Sequence, residues 1–231
     1  MEYESYRLLL AVIPQLPRSW LSRISRLVGW VGPRLVFWEA RKARINLDLV
    51  YGDSLSRKEK ESIVRQSFEN MALTALYTFW SSNITRETVE DFVTVSEESW
   101  ETVRLVKNKG KGAIALLAHY GNWELMGVAC GYLDVPPLNV IVRSLKNPLL
   151  NELVNRYRCR SGNRVIFSDQ AAMKSLRALQ RGEVVVMVYD LNVDPEDGGI
   201  FAPFLGLPAA TTKAAAVLAL KTGAPLVPVV C

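Results

Sequence analysis

One pattern, repeated three times, limits the fold more than any other feature of the chain. "LVKNKGKGAIALLA", "ALQRGEVVVMV" and "ALKTGAPLVPVV" each close a helical run on basic or polar residues, pass through a glycine and enter a short apolar run. Glycine just past a helix, followed by a short buried strand, marks alternating helix–strand units. "NVIVR" at 139–143 supplies a fourth strand. Helices between the strands have recognisable starts. Asn147 with Pro148 gives an N-cap and a first-turn proline, and Ser168 with Asp169 opens a helix that ends near Gly182. The expected fold is α/β: over residues 91–231, a mixed, mostly parallel sheet flanked by helices.

Upstream, "SRKEKESIVRQSFENMALTALYTFW" begins with Ser56 and Glu59 at capping-box spacing and continues with helical periodicity. Residues 1–90 are expected to be mainly helical. Within them, 1–44 reads as a basic amphipathic segment that precedes an α/β domain over 45–231, and 231 residues suffice for one such core. The chain stops at "PLVPVVC", inside an apparent strand, so a further C-terminal part is expected beyond it.

Charge is unevenly placed. Residues 1–44 hold eight of the 28 basic side chains against Glu2, Glu4 and Glu39, and the rest of the chain balances. The early arginines sit among Leu, Ile, Val, Trp and Phe, while Pro14, Pro17 and the arginines interrupt any run long enough to span a bilayer. No small-residue cleavage site follows the short apolar run, so a signal peptide fits poorly. Basic residues mixed with Trp and Leu suit helices lying on an anionic membrane surface. A helix packed on its own domain is the plainer alternative. Nucleic acid binding is disfavoured, because the charge does not form a polar stripe. A hydrophobic content of 49% and a mean hydropathy of +0.10 agree with an interfacial protein. Cys130, Cys159 and Cys231 form an odd set without C-x-x-C spacing, which argues against a disulfide framework or a zinc site. With one histidine, a metal centre would need carboxylates alone, so none is expected.

That histidine, His119, follows the apolar run "AIALLA", and Glu124 lies five residues on. "YGN" breaks the strand before "WELMGVACGY" resumes as a helix, so His119 sits at the carboxyl end of a strand, where open α/β sheets bind ligands. Five residues along one helix would separate the two side chains by about 140°. The turn at Gly121–Asn122 removes that obstacle and lets the glutamate accept from one ring nitrogen while the other takes a proton from a substrate hydroxyl. A lone histidine near a glutamate is more often structural, and the strand-end position is what favours chemistry. No G-x-S-x-G occurs, and Cys130 falls inside the next helix. A base without a protein nucleophile points to direct attack by a bound hydroxyl.

"HYGNWE" resembles the H-x-x-x-x-D/E motif of glycerolipid-type acyltransferases, and among them the bacterial lipid A late acyltransferases, the lauroyl and myristoyl transferases. "IVRSLKNPLLNELVNRYRCRSGN", "LQRGEVVVMVYD", "GGIFAPFLGLPAATT" and "LALKTGAPLVPVV" match in order, from about residue 40 onward. The resemblance implies His119 as general base with Glu124 its partner. It implies an acyl thioester donor, usually on acyl carrier protein with acyl-CoA possible, no separate cofactor, and a lipid hydroxyl as acceptor at the cytoplasmic face of the inner membrane. Arg143, Arg158 and Arg160 fall on basic positions of the pattern and suit phosphates of a pantetheine arm or phosphoglycolipid. Asn122 lies inside the motif, and Asp190 matches an aspartate after the "EVV" strand; both are candidate substrate contacts. "GGIFAPFLGLPAATT" reads as an irregular wall of an acyl or lipid pocket, with Thr211 and Thr212 capping the next helix. The acceptor is most naturally a lipid A precursor. A phosphatidylinositol mannoside, an aminolipid or a polyene pigment stay open, as do thioester hydrolysis and a non-catalytic lipid-binding relative.

Overall fold

The computed structural model describes residues 2–230. Four helices come first: α1 (Glu2–Val12), α2 (Arg18–Leu35), α3 (Phe37–Tyr51) and α4 (Arg57–Trp80). The Ser56–Glu59 capping box forms in full, with the serine oxygen accepting from the Glu59 amide and the glutamate accepting from the Ser56 amide. Helix α2 lies along α4. Among the described residues no helix is long and apolar enough to cross a membrane.

The second part alternates: α5 (Glu97–Lys109), β1 (Ala113–Leu117), α6 (Trp123–Tyr132), β2 (Leu138–Val142), α7 (Pro148–Cys159), β3 (Arg164–Phe167), α8 (Ala171–Gln180), β4 (Val184–Val188), a hairpin of β5 (Gly199–Phe204) and β6 (Leu207–Thr212), α9 (Ala214–Thr222) and β7 (Leu226–Pro228). The main sheet runs β3-β2-β4-β1-β7 with every pairing parallel. The glycines of the repeated pattern, Gly110, Gly182 and Gly223, all have positive φ just past their helices, as expected. Asn147 caps α7 by accepting from the Leu149 and Leu150 amides, and Pro148 opens that helix.

Strand alternation divides the core. Ile114, Val185 and Met187 face α8 and α9 through Leu179, Ala215 and Leu218. Ala113, Ala115, Leu117, Val184 and Val186 face the other way, toward Val106 of α5 and Trp123, Met126 and Cys130 of α6. At the amino ends of the strands, Glu183 is nearly buried and accepts from Arg181, Arg164 and Asn139. Together these hold its carboxyl down to about 2, with the Arg181 hydrogen bond the main cause.

"GGIFAPFLGLPAATT" departs from expectation. It forms a regular two-stranded antiparallel hairpin in register from Gly199↔Thr212 to Phe204↔Leu207. Leu205 and Gly206 both take positive φ, the backbone that a two-residue type I′ turn requires. Phe201 and Phe204 project into solvent instead of walling a pocket, and Thr212 at the foot of the hairpin is the residue that reaches the cavity described below. Thr212 also accepts from the Ala214 amide at the start of α9, in keeping with a capping role.

Candidate active site

Two residues past the end of β1, the chain reaches His119. Gly121, at φ +64°, then turns it into α6, and the Gly121 carbonyl is tied to α4 by the Thr74 hydroxyl at 2.9 Å. Asn122 caps α6, its side-chain oxygen accepting from the Leu125 amide at 3.2 Å. That bond gives the Asn122 side-chain oxygen a local structural task. The turn itself is the one the spacing called for.

The carboxylate on the imidazole is Asp190, not Glu124. Asp190 Oδ1 lies 2.9 Å from His119 Nδ1, and its Oδ2 accepts from the His119 backbone amide at 2.8 Å. The cause is strand register. β1 and β4 pair one-to-one from Ala113↔Val184 to Leu117↔Val188. The Tyr189 amide donates to the Leu117 carbonyl just beyond, and the same step carried two residues further sets His119 opposite Asp190. A carboxylate there fixes Nδ1 as the donor and leaves Nε2 as the basic nitrogen. The Trp123 ring meets the imidazole edge-on, with centroids 4.9 Å apart.

Glu124, one residue into α6, pairs instead with Arg158 of α7. Arg158 Nε donates to Glu124 Oε2 at 3.0 Å, and the terminal guanidinium nitrogen donates to Oε1 in a second, shorter bond. Burial opposes the Arg158 charge, but the bonds and charge of Glu124 outweigh it and raise the guanidinium pKa further. Tyr6 of α1 stands against this pair. Its burial, and then the Glu124 charge, push its phenol up to about 12. The first helix therefore packs directly onto the charged side of the site.

Arg160 does not join the cluster. Its guanidinium donates to the Ser81 and Ser82 carbonyls at the end of α4 and stacks over the Tyr157 ring at 4.4 Å. It clasps two helices where substrate binding had been expected. Arg143 follows the end of β2, is exposed, and lines the same cavity as Arg158.

That cavity has a volume of about 1150 Å³ and runs between the sheet and helices α5 and α6. His119, Glu124, Arg143 and Arg158 contribute its polar wall, while Val106, Ala115, Leu117, Met126 and Val227 belong to a long apolar remainder. It therefore extends from the carboxyl ends of the strands, where His119 lies, back to Ala113 and Leu138 at their amino ends. Among the described residues, no group of three or more His, Cys, Asp or Glu side chains could hold a metal ion. The arrangement offers an oriented imidazole at the edge of an apolar space, with two arginines nearby.

Residues 5–231 match the family described as bacterial lipid A biosynthesis acyltransferase. Over 225 residues the chain is 27% identical to the lipid A biosynthesis lauroyltransferase of Escherichia coli (strain K12), covering 95% of this chain and 70% of that protein.

Proposed function

This chain belongs to the bacterial lipid A biosynthesis acyltransferase family and is an acyltransferase, and from that premise we propose that it moves a fatty acyl chain from a thioester to a lipid hydroxyl, with His119 as general base. The observation that carries this reading is the His119–Asp190 pair at the polar wall of a large apolar cavity. Asp190 holds the proton on Nδ1, so Nε2 accepts the acceptor's hydroxyl proton as that oxygen attacks the thioester carbonyl. The tetrahedral intermediate then expels the thiolate, the C–S bond breaks, and the imidazolium returns the proton to sulfur. An ester and a free thiol result. Proton transfer of this kind typically contributes ~10²–10⁴ in rate.

The cavity suits the acyl chain because most of its lining away from His119 is apolar. Arg143 and Arg158 suit anionic groups of the donor's pantetheine arm or of a phosphoglycolipid acceptor. Glu124 acts through Arg158, keeping the guanidinium charged and fixed. The donor is acyl carrier protein, and the acceptor is a lipid A precursor at the cytoplasmic face of the inner membrane. Membrane contact falls to the first helices. Trp20, Trp30, Phe37 and Trp38 are more than half exposed or close to it, and Arg34 stacks on Trp30 at 4.9 Å. Exposed aromatic rings interleaved with arginines fit an anionic interface.

The test is incubation of the protein with acyl carrier protein bearing a radiolabelled fatty acyl chain and with membrane lipid extract, comparing wild type with H119A, D190N and E124Q. Label should enter a lipid with wild type and fall to background with H119A. Label released only as free fatty acid would mean hydrolysis. Equal lipid labelling by H119A would refute the general-base role.

A further inference from the structure

Helix α6 presents one apolar stripe to the sheet: Trp123, Met126 and Cys130, at i, i+3 and i+7, all pack on the cluster formed by Ala113, Ala115, Leu117 and their neighbours. Position i+4 of that stripe is Gly127. Glycine inside a helix weakens it, so a helical glycine generally answers to a steric or backbone need. Neither is present here. Gly127 is not among the residues of positive φ, and a Cβ built on it would meet no heavy atom within 4 Å beyond its own chain neighbours and helix backbone. Gly131, one turn on, makes the contrast: a Cβ there would stand 2.3 Å from the Ser161 hydroxyl and 2.6 Å from its carbonyl. Gly131 is glycine because α6 touches Ser161. Gly127 is a gap in an otherwise filled stripe, and the gap opens on the cavity.

We infer that Gly127 holds open the acyl cavity and thereby sets which chain lengths the enzyme accepts; this rests on the cavity's being the acyl site. Gly127 lies four residues, or about 6 Å, along the helix from Trp123, whose ring touches the His119 imidazole. A side chain at 127 therefore fills the cavity about one helical turn from the reacting carbon. Short chains end before that point, whereas longer ones must pass it.

The experiment measures both binding and transfer. Saturated fatty acids of about 4 to 16 carbons are titrated against the full chain by calorimetry, and acyl carrier proteins loaded with the matching chains are compared as donors by kcat/KM. Wild type, G127A, G127L and M126A are used. For G127L the ratio of long-chain to short-chain affinity should fall about fourfold for each methylene that no longer fits, and G127A should move it the same way by less. M126A, which widens the same stretch, should move it toward longer chains, and this second direction keeps the test valid if leucine at 127 prevents folding. G127A should also melt higher than wild type, because alanine is the better helix former. Wild-type transfer with a chain-length profile that no variant moves, or parallel loss at every length, would overturn the inference and leave the acyltransferase reading intact. Fatty acid binding that shifts with the variants, without any transfer, would sustain the role of Gly127 and count against the proposed donor. Absence of chain binding by wild type would overturn the cavity reading and the inference together.

Discussion

Replacing Asp190 with asparagine removes the carboxylate charge while nearly keeping the side chain's shape. In the proposed mechanism that charge stabilises the imidazolium formed when His119 takes the hydroxyl proton. Oδ1 stands 2.9 Å from Nδ1, which puts the two charge centres roughly 4 Å apart and their attraction at about 1 kcal/mol in bulk water or about 4 kcal/mol near a protein surface. The side chains are 33% and 36% exposed, so solvent screening brings the value to about 2 kcal/mol, or ~30-fold in kcat. An asparagine amide turned toward Nδ1 would also impose the wrong tautomer, a fault that reaches ~10⁴ in the serine-protease triad. D190N should therefore lose between ~30-fold and ~10⁴-fold in kcat, with little change in KM for the acyl donor. Single-turnover transfer from acyl carrier protein measures this step directly. The double variant H119A/D190N should be no slower than H119A, because the aspartate acts through the histidine. D190N with wild-type kcat, or single losses that multiply in the double variant, would refute the reasoning.

Three other outcomes follow from contacts away from the dyad. Glu183 has its carboxyl held down to about 2 from an ordinary 4.5, so its stabilisation is complete above about 4.5 and is lost as pH falls toward 2. With arginine partners about half exposed, E183Q should destabilise by about 1–3 kcal/mol at pH 7, and the gap from wild type in urea melts should narrow below pH 4; a gap independent of pH would contradict the assignment. R160A removes two charge-assisted bonds to the end of α4 and should lower stability by about 2–4 kcal/mol while leaving KM for the donor unchanged, so a raised KM with an unchanged melting temperature would restore Arg160 to the substrate site. Changing exposed Trp30 and Trp38 to serine should weaken flotation with anionic vesicles several-fold, at about 0.8 kcal/mol per methylene-sized group withdrawn from lipid; unchanged flotation would show that these helices do not carry membrane contact.

Local signals carried most of the fold. Each helix end and start that was legible, from the Ser56–Glu59 box to Asn147 and Gly110, is fixed by groups within four residues of one another. The hairpin shows where that approach stops. Glycines and prolines spread through "GGIFAPFLGLPAATT" suggest an irregular segment, yet Pro203 and Pro208 fall opposite each other on a two-stranded ribbon. Each strand of such a ribbon keeps one unpaired edge, where a missing amide donor does no harm. Arg160 illustrates a related limit. Its position in the motif could not reveal the Ser81 and Ser82 carbonyls, some 78 residues earlier, that orient it.

The histidine's partner was hidden for the same reason, although its trace is present in the chain. Spacing along the sequence favours Glu124, the nearest carboxylate that a turn could bring back. A parallel sheet, however, relates residues by a constant offset set by which strands are neighbours. Here β4 inserts beside β1, although β2 follows β1 in the chain, and crossover order of that kind is not written in local pattern. Once the two strands are adjacent, "AIALLAH" and "VVVMVYD" align residue for residue, from Ala113 with Val184 to His119 with Asp190. Each is a largely apolar run that closes on a histidine or an aspartate two residues past the last paired position. Two such runs are a reason to test the distant pairing as well as the nearby one. The nearby glutamate then becomes free for the contact it makes in this structure, an ion pair with Arg158 in the lining of the same cavity.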